Sequence, residues 1–145
     1  MSKEQDRLSI SLLNDLQSTG AGYDVIRYIG LPELFGSEAD TLLYFMGRNL
    51  SRKFSLESIE DICELVEKLG WGKLELIKEK KNELVFQLMA DSVAQRLQAP
   101  LHTEFRLEAG FLAEAVQMVV GTECECTENI HRRIHQVQFN IVYTK

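Results

Sequence analysis

Leu42-Leu43-Tyr44-Phe45-Met46-Gly47-Arg48-Asn49-Leu50 and Phe105-Arg106-Leu107-Glu108-Ala109-Gly110-Phe111-Leu112-Ala113 are the two stretches that decide the fold of this chain. Each has the apolar spacing of an amphipathic helix, with one glycine near its middle. An interior glycine costs a helix about 1 kcal/mol relative to alanine. Gly47 and Gly110 therefore indicate places where two backbones, or a backbone and a ligand, come close together.

Length, composition and charge limit the classes of protein that the chain can belong to. Its 145 residues fit one domain, and 45% hydrophobic and 26% charged residues are ordinary for a globular protein. The net charge of -6 argues against binding to nucleic acid or to an anionic membrane surface, because both need a basic patch. Residues 1–7 lack the apolar core of a signal peptide, and no apolar run is long enough to cross a bilayer. With three cysteines, an odd number, we expect a cytoplasmic protein with free thiols.

Helical periodicity dominates the first half of the chain. We expect residues 1–21 to be an N-terminal arm that orders only when it packs on something, and residues 22–145 to form a single domain. In the first helix of that domain Val25, Ile26 and Ile29 share one face. A second helix covers residues 38–54. A third is predicted to be capped by Ser55 and to end at Gly70.

The apolar period changes from about 3.6 to 2 after this third helix. Leu74 and Leu76 alternate with charged residues, residues 80–83 form a polar turn, and alternation resumes at residues 84–88. A fourth helix follows at residues 103–120, then alternating segments at residues 122–130 and 137–143. Residues 91–100 are ambiguous and allow a short helix. The predicted class is α+β, in the order α-α-α-β-β-α-β-β, with a helical layer on one face of a roughly four-stranded twisted antiparallel sheet.

The helix at residues 38–54 carries more apolar side chains than one buried stripe can hide. A core-facing stripe accounts for Leu43, Met46, Leu50 and Phe54, but Leu42 and Phe45 point away from its centre. Left in water, they would join the helix at residues 25–35 in an apolar patch of the size that marks an interaction site. We therefore predict a homodimer with an interface of Val25, Ile29, Leu42, Phe45, Gly47 and Arg48.

Two thiols and two imidazoles near the end of the chain raise the alternative of a zinc site. Cys124, Cys126, His131 and His135 are ligands that zinc prefers. Structural sites usually separate paired cysteines by at least two residues, whereas one residue separates these two. On a strand both cysteines would face the core, as small packing residues do. We predict that no metal and no cofactor is bound.

The order of these elements, together with three motifs, resembles a known superfamily. The motifs are the run from Tyr44 to Phe54, the run from Leu107 to Ala113, and the closing strand from Val137 to Ile141. The chain resembles the ligand-binding superfamily that contains the 4-vinyl reductase domain and the subunits of the TRAPP vesicle-tethering complex. Within it, the chain is most similar to a family of uncharacterised cytoplasmic proteins from Bacillus and related Firmicutes.

This resemblance implies pairing through the first helices and, in some members, a pocket for a hydrophobic molecule between helices and sheet. We expect the walls of such a pocket to include Trp71, Phe105, Glu108, Gly110 and Leu112. Glu108 borders the apolar stripe of its helix, where a carboxylate has a raised pKa, reaches solvent or pairs with an arginine. Two departures matter: Val137 stands where 4-vinyl reductase domains often have a cysteine, and Cys63 lies mid-helix, away from the acylated position of TRAPP subunits.

Three hypotheses on function follow. The first is a non-enzymatic binding or regulatory module, homodimeric, with a small hydrophobic molecule as candidate ligand. The second is a purely structural interaction subunit with a filled core. The third, an enzyme or a zinc protein, has little support, because the sequence has no phosphate loop, nucleophile elbow or acid pair in an apolar setting.

Overall fold

The computed structural model of the chain describes residues 8–15 and 20–145, and its architecture is four longer helices with a four-stranded antiparallel sheet. The first helical segment, residues 22–35, runs through α1 (Gly22–Val25), a π-helical segment (Ile26–Gly30) and α2 (Leu31–Phe35). The longer helices are α3 (Ala39–Ser51), α4 (Ile59–Lys68), α5 (Asp91–Gln98) and α6 (Arg106–Val120). The strands are β1 (Lys73–Lys80), β2 (Glu83–Met89), β3 (Cys124–His131) and β4 (Gln136–Tyr143).

The sheet has the strand order β1-β2-β4-β3, and every pair is antiparallel. Side chains alternate between its two faces, so Leu84 and Phe86 on β2 and Phe139 and Ile141 on β4 all enter the core. Helix α6 packs on this sheet mainly at β3 and β4. The predicted α+β class and the four-stranded antiparallel sheet are confirmed. The structure adds α5, the stretch in which the sequence left helix and loop open.

The contact between α3 and α6 is a crossing of two backbones at glycine. A Cβ atom added to Gly47 would lie 2.7 Å from the backbone nitrogen of Phe111 and closer still to the carbonyl oxygen of Leu107. A Cβ added to Gly110 would lie 2.8 Å from the carbonyl carbon of Tyr44 and closer to its oxygen. Each helix thus presents its glycine to the backbone of the other. The close approach predicted from the two glycines is present, and it lies within one chain.

Helix α4 begins three residues later than the sequence indicated. Its N-cap is Ser58, whose Oγ accepts a hydrogen bond from the backbone N–H of Asp61 at 3.1 Å. Ser55, the predicted cap, lies before the buried Leu56 and outside the helix. Ser58 has the extended backbone angles of an N-cap residue, φ -143° and ψ 163°, and it caps the helix instead.

The predicted N-terminal arm is described in part. Residues 1–7 and 16–19 lie outside the described residues. Between them, Ile10–Asp15 form a 3-10 helix, and Leu13 is buried in the core. The backbone N–H of Leu8 donates to the carbonyl of Lys53, which joins this stretch to the chain that follows α3.

Candidate functional site

A buried ionic cluster holds the first helical segment to the rest of the domain. Arg27 is only 1% exposed, and its guanidinium donates to both oxygens of Glu104 and to Oε1 of Glu108 at 2.9 Å. Burial opposes the charge of Arg27, but these two carboxylates raise its pKa above the ordinary value. Burial raises the pKa of Glu108, and Arg27 opposes that rise. A fixed arginine paired with two acids anchors this helix to α6.

A second arginine extends the cluster towards α5. Arg96 donates to Asp24 at 2.9 Å, and its guanidinium lies over the ring of Tyr23, 5.5 Å from the centroid. The guanidinium of Arg27 lies over the ring of Tyr28 in the same way, at 4.8 Å. Within the described part of the chain, the hydroxyl of Tyr28 and Oε2 of Glu108 have no hydrogen-bond partner. Ion pairs and cation–π contacts therefore join this helix to the rest of the domain.

The opposite side of the first helical segment is apolar and uncovered. Ile26 is 62% exposed and Leu34 is 77% exposed, and Val25 and Ile29 are exposed beside them. Helix α2 packs against α3, which adds Leu42 and Phe45, the latter 54% exposed. We call these six side chains the outer apolar face. The first segment thus departs from an ordinary surface helix on both sides: Arg27 is buried beside apolar residues that pack on the core, and four aliphatic side chains are exposed.

Two of the predicted interface residues serve contacts within the chain. Gly47 is covered by α6, as described above. Arg48 donates to Glu114 at 3.0 Å, to the carbonyl of Cys124 at 2.9 Å, and to Glu125. It therefore ties α3 to α6 and to the outer edge of β3, and the interface proposed below uses neither residue.

The residues predicted to line a pocket form part of a filled core. Trp71 packs edge-on against Phe111, with ring centroids 5.1 Å apart, and Phe105 packs against Phe139 at 6.5 Å. Leu112 is buried, Gly110 is against the backbone of Tyr44, and Glu108 is paired with Arg27. Phe105 and Phe139 occupy space between α6 and the sheet, whereas Glu108 and Gly110 face the first helical segment and α3, so the five predicted residues lie on different sides of α6.

The four alternative zinc ligands are spread along β3 and its turn. Cys124 pairs with Tyr143 at one end of β3, and His131 pairs with Gln136 at the other. They are seven positions apart along the strand, about 23 Å. His135 lies in the turn beyond, beside Gln98. In residues 8–15 and 20–145, no three His, Cys, Asp or Glu side chains are grouped to hold a metal ion.

Sequence reasoning missed Arg27, the residue at the centre of the ionic cluster. The apolar face of its helix was identified and assigned to an interface, but no role was assigned to the side that carries Arg27. One sequence feature pointed to such an arginine: Glu108 lies in an apolar helix, where a carboxylate needs a positively charged partner. Nothing in the local pattern says which of the 16 lysines and arginines supplies it.

Comparison with known proteins supports a family assignment. The family described as "Protein of unknown function (DUF2507)" matches residues 20–142. Uncharacterized protein YslB of Bacillus subtilis is 34% identical over 139 residues, which cover 96% of this chain and 94% of YslB. Uncharacterized protein MJ1642 of Methanocaldococcus jannaschii is 22% identical over 107 residues, 73% of this chain and 65% of that protein.

A solved structure shows the same fold. The crystal structure of a vinyl-4-reductase family protein from Methanocaldococcus jannaschii superposes with a TM-score of 0.67 and 18% identity, covering 94% of this chain and 88% of that one. A trafficking protein particle complex subunit 3 from Naegleria fowleri, covalently bound to palmitic acid, gives a TM-score of 0.46 and 13% identity, covering 94% and 93%. In the described part of this chain, every helix is too short or too polar to cross a membrane.

Proposed function

This chain belongs to the family of unknown function DUF2507, and from its own geometry we propose that it is a non-enzymatic binding or regulatory module that acts as a homodimer. The observation that carries this proposal is the exposed aliphatic side of the first helical segment. Its inner side holds Arg27 and Tyr28 and packs Leu31 and Phe35 against the core, while four aliphatic side chains of the outer apolar face remain exposed. Burying an aliphatic side chain is worth about 1.5–3 kcal/mol, so covering the outer apolar face would repay the cost of association.

The charges beside this face favour a second copy as its partner. Glu38, Phe45 and Arg52 are spaced by seven residues, so they lie about two helical turns apart on one side of α3. All three are exposed. If two α3 helices cross antiparallel at Phe45, each Glu38 meets the partner's Arg52. A surface that complements itself in this way is the requirement for a two-fold dimer.

The first test is the mass of the protein in solution. We expect light scattering to give a dimer at tens of micromolar, and Phe45→Glu to give a folded monomer, because it places a charge at the centre of the apolar face. Ile134→Glu is the matched control, since Ile134 is 58% exposed and lies outside this face. A monomeric wild type, or an equal loss of dimer in the control, would overturn the homodimer.

A charge reversal tests the antiparallel crossing itself. Glu38→Arg and Arg52→Glu should each weaken the dimer several-fold by placing like charges together, and the double variant should restore it. Arg52 also pairs with Glu114 of its own chain at 3.2 Å, so its single variant carries a stability effect that the double variant would not repair. A double variant no tighter than the weaker single variant would contradict this crossing and leave the dimer itself standing.

The filled core favours a second candidate function, a purely structural interaction subunit. Phe105, Phe111 and Phe139 occupy the space between α6 and the sheet. Native mass spectrometry and solvent extraction of the purified protein separate the two functions. A stoichiometric apolar molecule supports a ligand-binding module, and a protein without one supports the structural subunit.

A further inference from the structure

A cavity of about 490 Å³ lies between α4, the sheet and the end of α6, at the edge of the core. Its walls are Ile59, Cys63, Leu76, Leu84, Val120 and Tyr143. They come from α4, β1, β2, the end of α6 and β4, so the cavity is an open corner of the space between the two layers. Its volume is within the range of small-molecule sites in proteins, about 300–1,000 Å³.

A β-bulge in β1 decides which charge faces this cavity. Leu76 pairs with Phe86, but the register then shifts, so that Lys78 pairs with Val85 and Glu79 pairs with Leu84. Leu84 and Phe86 are on the core side of the sheet. Without the extra residue, Lys78 would be opposite Leu84. The bulge therefore places a carboxylate on the cavity side of the strand and the lysine on the other face.

The rim of the cavity is negatively charged. Glu79 of β1 and Glu60 of α4 are both exposed there, and the lining residues include no lysine, arginine or histidine. The charges of these carboxylates contribute to raised pKa values of two neighbouring side chains. Burial and then the charge of Glu60 raise the pKa of Cys63, and burial, Cys124 and then Glu79 raise the pKa of Tyr143.

We propose that this cavity binds a small amphiphile whose apolar body lies against Leu76 and Leu84 and whose single ammonium group lies between Glu60 and Glu79. This inference rests on the proposed function to the extent that the chain is a binding module. An apolar wall with two carboxylates at its mouth complements such a cation, whereas a fatty acid would bring a third negative charge to the rim.

Cys63 is a built-in reporter for occupancy, because it lines the cavity and is half-buried while Cys124 and Cys126 are buried in the core. The probes are decyltrimethylammonium and decanoate, which share an alkyl chain and differ in charge, used below their micellar concentrations. Each is titrated while mass spectrometry follows alkylation of Cys63 by N-ethylmaleimide. We expect decyltrimethylammonium to protect Cys63 at concentrations about tenfold lower than decanoate.

Charge-reversal variants show whether the rim sets this preference. Glu60→Lys together with Glu79→Lys should abolish or reverse the preference for the cation, and Glu67→Lys, on α4 outside the cavity, should leave it unchanged. Protection is taken as a ratio with and without probe, because the substitutions also alter the reactivity of the thiol. Equal protection by both probes, no protection by either, or an equal effect of Glu67→Lys would overturn the inference.

The dimer is measured in the same samples by light scattering. An intact dimer that binds neither probe overturns this inference alone, and a monomer that keeps its preference for the cation overturns the homodimer alone.

Discussion

Replacing Gly47 or Gly110 with alanine tests whether the backbone crossing of α3 and α6 holds the helical layer together. If helix propensity were the only effect, alanine at either position would stabilise the protein by about 1 kcal/mol. The added methyl group, however, would lie 2.7 Å from the backbone nitrogen of Phe111 or 2.8 Å from the carbonyl carbon of Tyr44. Backbone atoms cannot rotate away as a side chain can, so the two helices must separate.

The size of the effect follows from this separation. Overpacking a core costs about 1–3 kcal/mol, and here the displaced helices also lose contacts on either side, so we expect a net loss of about 3 kcal/mol for each variant. Domains of this length unfold with an entropy of about 0.3 kcal/mol per kelvin, which converts the loss into a fall in Tm of about 10 °C. Calorimetry and urea unfolding measure both quantities.

Gly30→Ala is the matched control for this prediction. Gly30 has helical backbone angles, with φ -63° and ψ -53°, and a Cβ there would meet only the carbonyl of Val25 at 3.9 Å. We expect no loss of stability, and a gain of up to about 1 kcal/mol. A Gly47→Ala or Gly110→Ala variant as stable as the wild type, or a Gly30→Ala variant equally damaged, would refute the reasoning.

Three further predictions concern the buried charges and the thiols. Arg27→Met should destabilise the protein by about 3–5 kcal/mol at neutral pH, because Glu108 loses its partner, and urea unfolding should show a smaller loss near pH 5. The sign follows from the raised pKa of Glu108: the folded state keeps that proton above the ordinary 4.5, so stability falls as pH rises through the window above 4.5. Cys63 should react with a thiol reagent in the folded protein, whereas Cys124, whose pKa burial raises to about 11, and Cys126 should react only in urea; fast labelling of three thiols per chain would contradict this. Elemental analysis should find no bound zinc; one zinc per chain, lost when Cys124 and Cys126 are replaced by serine, would refute that prediction.

The sequence predicted the helices and strands of this fold better than it predicted which of them pack against each other. The change of period after Gly70 identified the sheet, because alternation along a strand is a local property. The glycines at 47 and 110 were identified as close contacts, yet Gly47 was assigned to a second copy of the chain. A periodic pattern shows that a helix face is covered, but the residue that covers it can lie anywhere in the sequence.

The candidate site shows the same limit more sharply. Glu108 was identified as a carboxylate that is either perturbed or paired, and the structure pairs it with Arg27, 81 positions away in the sequence. The sequence analysis made no assignment for Arg27, because nothing local distinguishes it from a surface arginine. Phe105 and Leu112, which were predicted to line a pocket, are buried in the core. The volumes of facing side chains decide whether a space remains beside them, and one sequence does not say which residues face each other.

The glycine crossing also bears on how the chain folds in time. Helices α4 and α5 and the β1–β2 hairpin all lie between α3 and α6, so a long loop must close before the two backbones can touch. A contact that admits no methyl group requires near-final geometry, so we expect it to form after the folding transition state. Alanine at Gly47 or Gly110 should then accelerate unfolding and leave the folding rate almost unchanged, which stopped-flow measurements in urea would show as a shift of one chevron limb. The crossing would thus set the unfolding rate, and with it the lifetime of the folded state, without affecting how fast the chain folds.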